Sequence, residues 1–434
     1  MLSGRNKQHQ TSAELRRRRA GILAVMFAFG VIYATWTTRT PAVRGELDVS
    51  IAQMGILMMG LSAGSMIGVL SSAKLVARFG TRRVIAVGVT VSVCALALIG
   101  VATVVGGAPG VALGLALVGL GMGTSDVALN IEGAEVEHQT RRSLLPALHG
   151  FFSVGTVVGA LTGIGLSAID LAPVYHLCAV AVVLAPIATW GYLGIPRGFG
   201  IVDKADSSAT KAAPAEATRT EPQPERHSKP DASAPNPPKK RSVLLDPTIL
   251  LIGIIVLAMG FAEGAADDWL PLLIVDSQGA SEVAGSLVYA GFAASMALGR
   301  LTGGAFVQRF GHAQVLAVSA VMAIFGVLGV IYAPNVGVAV AAVLFWGVGS
   351  SLGFPVAIST AGNTHDRPVK RVSTVTTWGY AAFLVGPPLL GFLGEHVGLG
   401  NALLFVVALL VLAAVSAYTL TRRLRARLPF PEGP

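Results

Sequence analysis

Long apolar segments separated by short polar ones make up most of this 434-residue chain. Each apolar segment runs for about 20 residues, the length that a helix needs to cross the hydrocarbon core of a bilayer. The segments are too long and too continuous for the alternating strands of a membrane barrel. We therefore predict an all-α membrane protein. Its twelve predicted spans are 20–38, 51–73, 84–104, 109–132, 144–168, 173–194, 247–274, 283–307, 313–332, 337–361, 372–394 and 400–421.

One polar segment, residues 197–245, interrupts this pattern in the middle of the chain. It is rich in Pro, Ala, Ser and charges of both signs, a composition typical of a disordered linker. It divides the chain into residues 1–196 and 246–434, and each part holds six predicted spans. We interpret the segment as a tether between two six-helix bundles. A regulatory or partner-binding segment is the alternative.

Composition and charge placement support this topology. Hydrophobic residues make up 53% of the chain and charged residues 13%, against about 25% charged residues in soluble domains. The net charge is +9, and 29 of the 32 Lys and Arg residues fall at the termini, in 197–245 or in loops on the same side. The positive-inside rule then places both termini and the linker in the cytoplasm, which we expect of a bacterial plasma (inner) membrane protein. The basic charge is thus explained without a nucleic-acid partner.

Several chemistries have no support in the sequence. Cys94 and Cys178 are too few for a disulfide framework or a four-ligand metal site, and no ATP-binding loop is present. We expect no cofactor, no metal and no catalytic residue. A membrane-embedded enzyme and a non-transporting receptor are the alternatives to a transporter, but Asp267-Asp268 lacks the further acidic residues of a prenyl-transfer metal site.

Carboxylates inside the predicted spans are the candidate functional groups. A charge at the centre of a span costs roughly 2.5–3.5 kcal/mol, and an apolar environment favours the neutral carboxyl, which can then exchange protons near neutral pH. Asp126 and Asn130 share one face of span 4, and Glu263 and Asp267 share one face of span 7. We predict Asp126 and Glu263 as proton-coupling residues and Asn130 and Asp267 as substrate-binding residues. The alternatives are carboxylates satisfied by a neighbouring helix and, for Asp267, solvation at the outer mouth.

Four further residues are candidate substrate contacts. Arg39 is placed at the outer end of span 1, where it can pair with an acid of span 7, bind an anion or extend to the membrane surface. Trp269 is either a stacking surface or an interfacial anchor. Trp378 and Tyr380 in span 11 suit stacking on a sugar, with core packing as the alternative.

The two parts of the chain repeat a short motif. Arg78-Phe79-Gly80 follows span 2, and Arg309-Phe310-Gly311 follows span 8, 231 residues later. Internal repeats around a midplane site are typical of secondary transporters.

The motif after span 2 continues as Arg82-Arg83, and it resembles the signature of the major facilitator superfamily between its helices 2 and 3. The signature's Gly and Asp are replaced here by Ala73 and Ala77, which puts a standard cytoplasmic latch in doubt. The resemblance implies the superfamily fold of two six-helix bundles. It also implies gating roles, for which the candidates are Arg78, Gly80, Arg82, Arg83, Arg309 and Gly311. Glu132 and His149, near the inner ends of spans 4 and 5, are two further gating candidates. The alternatives are an interfacial ion pair for Glu132, and a proton relay or a pairing with the acids of span 4 for His149.

Two longer stretches, 124–155 and 261–269, resemble a little-characterised branch of bacterial permeases distantly related to the fucose–proton symporter. The resemblance implies a monomeric secondary transporter that moves a small molecule by alternating access, in contact with membrane lipids and protons. We expect proton-coupled uptake of a polar solute such as a sugar. Drug or metabolite efflux is the alternative, which Leu115 and Ala160 disfavour because they stand where exporters carry Arg and Pro.

Overall fold

The computed structural model describes residues 11–105, 107–140, 144–201, 246–362 and 368–425. Most of the predicted linker, residues 202–245, lies outside these ranges. The described residues form thirteen helices and no strand. In chain order the helices are α1 (Ser12–Leu47), α2 (Ile51–Phe79), α3 (Thr81–Val104), α4 (Ala108–Thr140), α5 (Leu145–Ser167), α6 (Pro173–Leu193), α7 (Pro247–Gln278), α8 (Glu282–Phe310), α9 (His312–Ile331), α10 (Val336–Ser351), α11 (Gly353–Gly362), α12 (Pro368–Val397) and α13 (Leu399–Arg425).

These helices make twelve passes, as the hydrophobic pattern predicts. In the described residues, eleven helical segments are long and apolar enough to cross a membrane. The tenth of them combines α10 and α11, which are separated only at Leu352. Pro355 explains this break, because proline has no N–H to donate to the carbonyl four residues earlier. The remaining pass is α12, a 30-residue helix. The prediction of an all-α membrane protein is therefore confirmed.

Several helices run beyond the predicted apolar spans, and α1 shows why. It begins at Ser12, where Thr11 and Glu14 form a capping box, and it continues to Leu47. The placement of Arg39 at the end of span 1 was therefore wrong, since Arg39 is a buried residue inside α1. The helix continues past Pro41 with Thr38 and Thr40 donating side-chain hydrogen bonds to the carbonyls of Ala34 and Trp36. Hydropathy locates the apolar part of a helix, whereas its ends depend on capping.

Packing groups the helices into two sets, α1–α6 and α7–α13, called the N-terminal half and the C-terminal half below. Within the N-terminal half, α2 packs on α4, α1 on α5, and α3 on α4 and α6. Within the C-terminal half, α10 packs on α8 and α9, while α7 packs on α12 and α13. Between the halves, α2 meets α12, α5 meets α8, and α1 touches α7 and α8.

We call the end of the bundle where α1 begins the near end and the opposite end the far end. Several contacts between described residues of the two halves lie at the far end. Arg44, in the last turn of α1, forms a 2.5 Å ion pair with Asp276 of α7. The N–H of Ala52, in the first turn of α2, donates to Glu395 of α12 at 3.1 Å, and Ser286 of α8 donates to the Thr38 carbonyl at 3.3 Å. The two halves are thus joined at the far end.

Candidate functional site

An acidic cluster with one arginine occupies the junction of α1, α7 and α8. Glu263 of α7 accepts a hydrogen bond at 2.6 Å from Nη2 of Arg300 on α8, and this contact is also an ion pair. One turn further along α7, the Asp267 carboxylate lies within hydrogen-bonding range of Tyr33 on α1 and Tyr289 on α8. Because Tyr33 belongs to the N-terminal half, this cluster connects the two halves inside the membrane.

A second carboxylate faces the space between the halves from α4. Asp126 is half-buried, and the Asn130 side chain, one turn on, donates to the Asp126 carbonyl at 2.9 Å. His149 of α5 and Tyr380 of α12 are close enough to Asp126 to interact with its charge. Tyr380 comes from the opposite half, so Asp126 and Tyr380 lie on facing walls.

Arg39 takes part in a different arrangement, nearer the far end. Its Nε–H donates to Nδ1 of His176 on α6 at 3.0 Å, and its Nη1 lies 3.5 Å from Glu282 of α8. Arg39 and His176 are both fully buried. Because Nδ1 of His176 accepts this bond, the ring proton of the neutral imidazole is on Nε2. This network joins α1, α6 and α8. The partners of Arg39 in it are His176 and Glu282 and not an acid of α7.

The two predicted stacking tryptophans lie within the C-terminal half. Trp269 is fully buried and packs close to Trp346, Leu390 and Leu403. The half-buried Trp378 covers Gly253 of α7, since an added Cβ at Gly253 would lie 3.2 Å from the indole ring. Both tryptophan side chains pack between helices of the C-terminal half, which for Trp378 corresponds to the core-packing alternative to substrate stacking.

The predicted gating motifs occupy equivalent positions in the two halves at the near end. Gly80 ends α2 with φ +81°, and Gly311 ends α8 with φ +79°, a backbone region that favours glycine. The guanidinium of Arg78 lies 5.2 Å from the Phe79 ring centroid, and that of Arg309 lies 5.5 Å from the Phe310 ring centroid. Arg82 and Arg83 follow in the first turn of α3. The repeat in the sequence is therefore a repeat in local structure, while the gating roles stay predictions.

Comparison with known proteins agrees with this architecture. The profile of the Major Facilitator Superfamily matches residues 22–383. The chain belongs to the major facilitator superfamily. An uncharacterized transporter of Sinorhizobium fredii, y4wD, is 30% identical over 402 residues, which cover 92% of this chain and 96% of that protein.

Solved structures show the same fold at low sequence identity. A mutant of the nucleoside transporter NupG superposes with a TM-score of 0.71 at 13% identity, covering 93% of this chain and 99% of NupG. The Escherichia coli fucose:proton symporter FucP superposes with a TM-score of 0.57 at 16% identity, covering 93% of this chain and 98% of FucP. This chain is thus an integral membrane transporter and not an enzyme, and the predicted resemblance to the superfamily is confirmed.

Glu132 of this transporter belongs to a buried near-end cluster within the N-terminal half. It forms a 2.6 Å ion pair with Arg18 of α1 and accepts a hydrogen bond from the Thr81 hydroxyl at the start of α3. The Thr81 N–H donates to the Phe199 carbonyl at 2.9 Å, and the Arg18 guanidinium lies 4.9 Å from the Phe199 ring centroid. The cluster joins α1, α3, α4 and the residues after α6.

Sequence reasoning passed over several residues of these clusters. Arg300 lies inside a predicted span, and this position was the one signal in the sequence that could have identified it, because a charge inside a span needs a partner. Arg18 was counted only among the positive charges before the first span. Tyr33, Tyr289 and His176 gave no signal in the sequence, because aromatic residues inside a span are common and only their neighbours distinguish them.

Proposed function

We propose that this transporter couples the uptake of a small polar solute, such as a sugar, to the movement of protons. The two halves would alternate between states open to either side of the membrane around the carboxylates Asp126 and Glu263. The observation that carries the proposal is the position of these groups. Asp126 from the N-terminal half and Glu263 from the C-terminal half both lie inside the membrane, near the surfaces where the halves meet.

Proton exchange at these positions follows from their surroundings. Desolvation favours the neutral form of a carboxyl group, and a nearby cation favours the charged form. Glu263 has such a cation in Arg300, at 2.6 Å. Glu263 and Arg300 both belong to the C-terminal half, but Tyr33 of the N-terminal half interacts with Asp267 and Glu263. A movement of one half relative to the other would change these surroundings and with them the proton affinity of Glu263. Rocking of the halves and proton binding would then be linked.

The substrate site would lie between the facing walls. Asn130, Asp267 and Tyr380 are half-buried polar groups that could bind hydroxyls of a solute. Trp269 and Trp378 would support the site by packing within the C-terminal half. Arg39, predicted as a substrate contact, would instead contribute to the far-end network through Glu282.

The direction of opening follows from the charge distribution. The positive-inside rule makes the near end cytoplasmic. The contacts of Arg44 with Asp276 and of Glu395 with Ala52 would then close the outer side in this conformation, and the site would be reached from the cytoplasm. The near-end motifs around Gly80 and Gly311 would approach each other only when the transporter opens outward.

The test uses purified protein in liposomes. A transported solute is first found by thermal stabilisation of the protein across sugars, organic acids and drugs, because a ligand that binds the folded state raises its stability. We expect an imposed pH gradient to drive accumulation of that solute. Asp126→Asn and Glu263→Gln should each abolish the gradient-driven accumulation, because neither side chain can then release a proton.

Glu135→Gln is the matched control, since Glu135 lies on α4 with Asp126 but accepts a hydrogen bond from Gln139, one turn away, rather than contacting the groups around Asp126. Its uptake should equal that of the unmodified protein. If accumulation stays proton-driven in both single variants of the membrane carboxylates, the coupling assignment is wrong. Accumulation that requires the opposite pH gradient would indicate efflux.

A further inference from the structure

Arg300 is an arginine inside the membrane whose hydrogen-bonding capacity is only partly used. A guanidinium carries five N–H donors. The contact described for Arg300 is the single hydrogen bond from Nη2 to Glu263. Its side chain is 32% exposed, whereas that of Glu263 is 13% exposed. No nitrogen of Arg300 is among the buried side-chain atoms that lack a hydrogen-bond partner in the described part of the chain, so the donors that Glu263 does not occupy are accessible.

The surroundings of Arg300 direct these donors toward the junction of the halves. Arg300 interacts electrostatically with Asp267 as well as with Glu263, and Asp267 contacts Tyr33 of the N-terminal half. Gly304 lies one turn further along the same face of α8, and no heavy atom lies within 4 Å of an added Cβ there. The guanidinium thus lies beside the proposed proton-coupling carboxylate, where a solute between the halves would pass.

We propose that Arg300 binds a carboxylate group of the transported solute, so that the substrate is a small polar monocarboxylate. This inference rests on the proposed function and names the substrate class of the same site. The planar guanidinium fork matches a carboxylate in two parallel hydrogen bonds, a geometry that a lysine or a hydroxyl does not provide.

Charge balance selects a carboxylate over a phosphate. Glu263 and the solute carboxylate would compete for one guanidinium. When Glu263 takes up a proton it becomes neutral, and the solute carboxylate replaces it in the ion pair, so the charge of the site is unchanged. A phosphate dianion would add a second negative charge beside Asp267, which is costly in a medium of low dielectric constant. The groups that face Glu263 in this exchange are Asp267 and Asp268 of α7, Arg300 and Tyr289 of α8, and Tyr33 of α1.

The first experiment measures ligand-induced thermal stabilisation of the purified full chain in detergent. The probes are matched pairs that differ in a carboxylate: D-galacturonate and D-galactose, D-gluconate and D-glucose, D-glycerate and glycerol. We expect an acid to stabilise the protein where its neutral partner does not. Arg300→Gln should weaken binding of that acid roughly ten- to a hundredfold, the range expected when a charge-assisted hydrogen bond is lost.

Further variants separate binding from folding. Arg300→Gln leaves Glu263 without its cation, so the double variant Arg300→Gln/Glu263→Gln removes both charges together and should fold without binding the acid. Glu263→Gln alone should bind the acid at least as tightly as the unmodified protein, because the competing carboxylate is gone. Arg371→Gln is the control for loss of an arginine ion pair outside this site, since its partner Asp246 lies in the same half, and its acid binding should be unchanged.

The inference is overturned if neutral sugars stabilise the protein as well as their acids, if no acid stabilises it, or if Arg300→Gln still binds the acid normally. Flux measurements separate this failure from failure of the proposed function. Uptake of one proton together with one carboxylate is electroneutral, so a pH gradient should drive uptake of the acid and a membrane potential should not. Proton-driven uptake of a neutral sugar that is lost in Glu263→Gln would sustain the proposed function and exclude the carboxylate.

Discussion

The buried ion pair between Arg18 and Glu132 shows how single residues are constrained in this transporter. Their side chains are 2% and 0% exposed, respectively, and the contact distance is 2.6 Å. Removing two charges from water is costly, and the attraction between them offsets this cost only while both are present. Glu132 therefore holds α1, α3 and α4 together at the near end, independently of any role in gating.

This pair leads to a prediction about stability. Glu132→Leu removes the 2.6 Å ion-pair partner of the buried Arg18 and should lower the free energy of unfolding by about 3–5 kcal/mol. The double variant Arg18→Met/Glu132→Leu should recover most of that loss, because apolar side chains of similar volume can replace a buried pair. Thermal unfolding in detergent measures both. A double variant as unstable as the single one would show that the pair itself stabilises the fold.

At the scale of helices, small residues decide how closely neighbours approach. Gly30 of α1 and Gly155 of α5 face each other, and an added Cβ on Gly30 would lie 2.8 Å from the Thr156 nitrogen and 3.0 Å from the Gly155 Cα. Such contacts are typical of membrane helices, where small residues allow close backbone packing. On α2, Gly60 and Gly68 meet α4 in the same way.

Gly30→Ala should therefore separate α1 from α5. The added methyl group meets backbone atoms, which cannot move aside as a flexible side chain can, and overpacking of this kind costs about 1–3 kcal/mol. Gly165→Ala on α5 is the control, because no heavy atom lies within 4 Å of its added Cβ. We expect a clear loss of thermal stability for Gly30→Ala and little change for Gly165→Ala. Equal effects of the two substitutions would refute the packing argument.

For the whole molecule, the far-end contacts determine which side is closed. Arg44 with Asp276 and Ala52 with Glu395 connect the halves there, and Gly55 of α2 approaches Gly391 of α12. Glu395 accepts a hydrogen bond at the N-terminus of α2, where the helix dipole favours a negative charge. These contacts oppose opening of the far end.

Arg44→Gln together with Glu395→Ala should favour conformations open at the far end. The readout is the labelling rate of Ser286→Cys by a membrane-impermeant maleimide, in a background where Cys94 and Cys178 are replaced by serine. Ser286 is fully buried against the carbonyl of Thr38 in the other half, so labelling should be slow in the parent and faster in the double variant. Asp246→Asn is the control, because its 2.8 Å ion pair with Arg371 lies within the C-terminal half. An unchanged labelling rate would contradict a far-end gate.

The sequence was sufficient to predict the twelve passes and the all-α class, but it misplaced the ends of several helices. The extension of α1 through Arg39 is accompanied by hydrogen bonds from threonine side chains to backbone carbonyls, and the break at Leu352 by the N–H that Pro355 lacks. Hydropathy reports neither feature. Candidate site residues were found wherever a charge stands inside a span, as at Asp126 and Glu263. The position of His149 near the inner end of span 5 allowed a pairing with the acids of span 4 to be considered. Arg300 and Tyr33 are remote in sequence from the acids they meet or ordinary in type, so their pairing could not be derived.

The sequence by itself determined that the chain spans a membrane with helices, because hydrocarbon excludes water and each apolar segment must satisfy its backbone hydrogen bonds internally. It also determined where charges are costly enough to require partners. Only the tertiary structure decided which groups meet. The Glu263–Arg300 pair, the facing positions of Asp126 and Tyr380, and the closed far end depend on how the two halves pack. Contacts between helices far apart in the chain depend on how their surfaces fit together, and hydrophobic periodicity does not specify that fit.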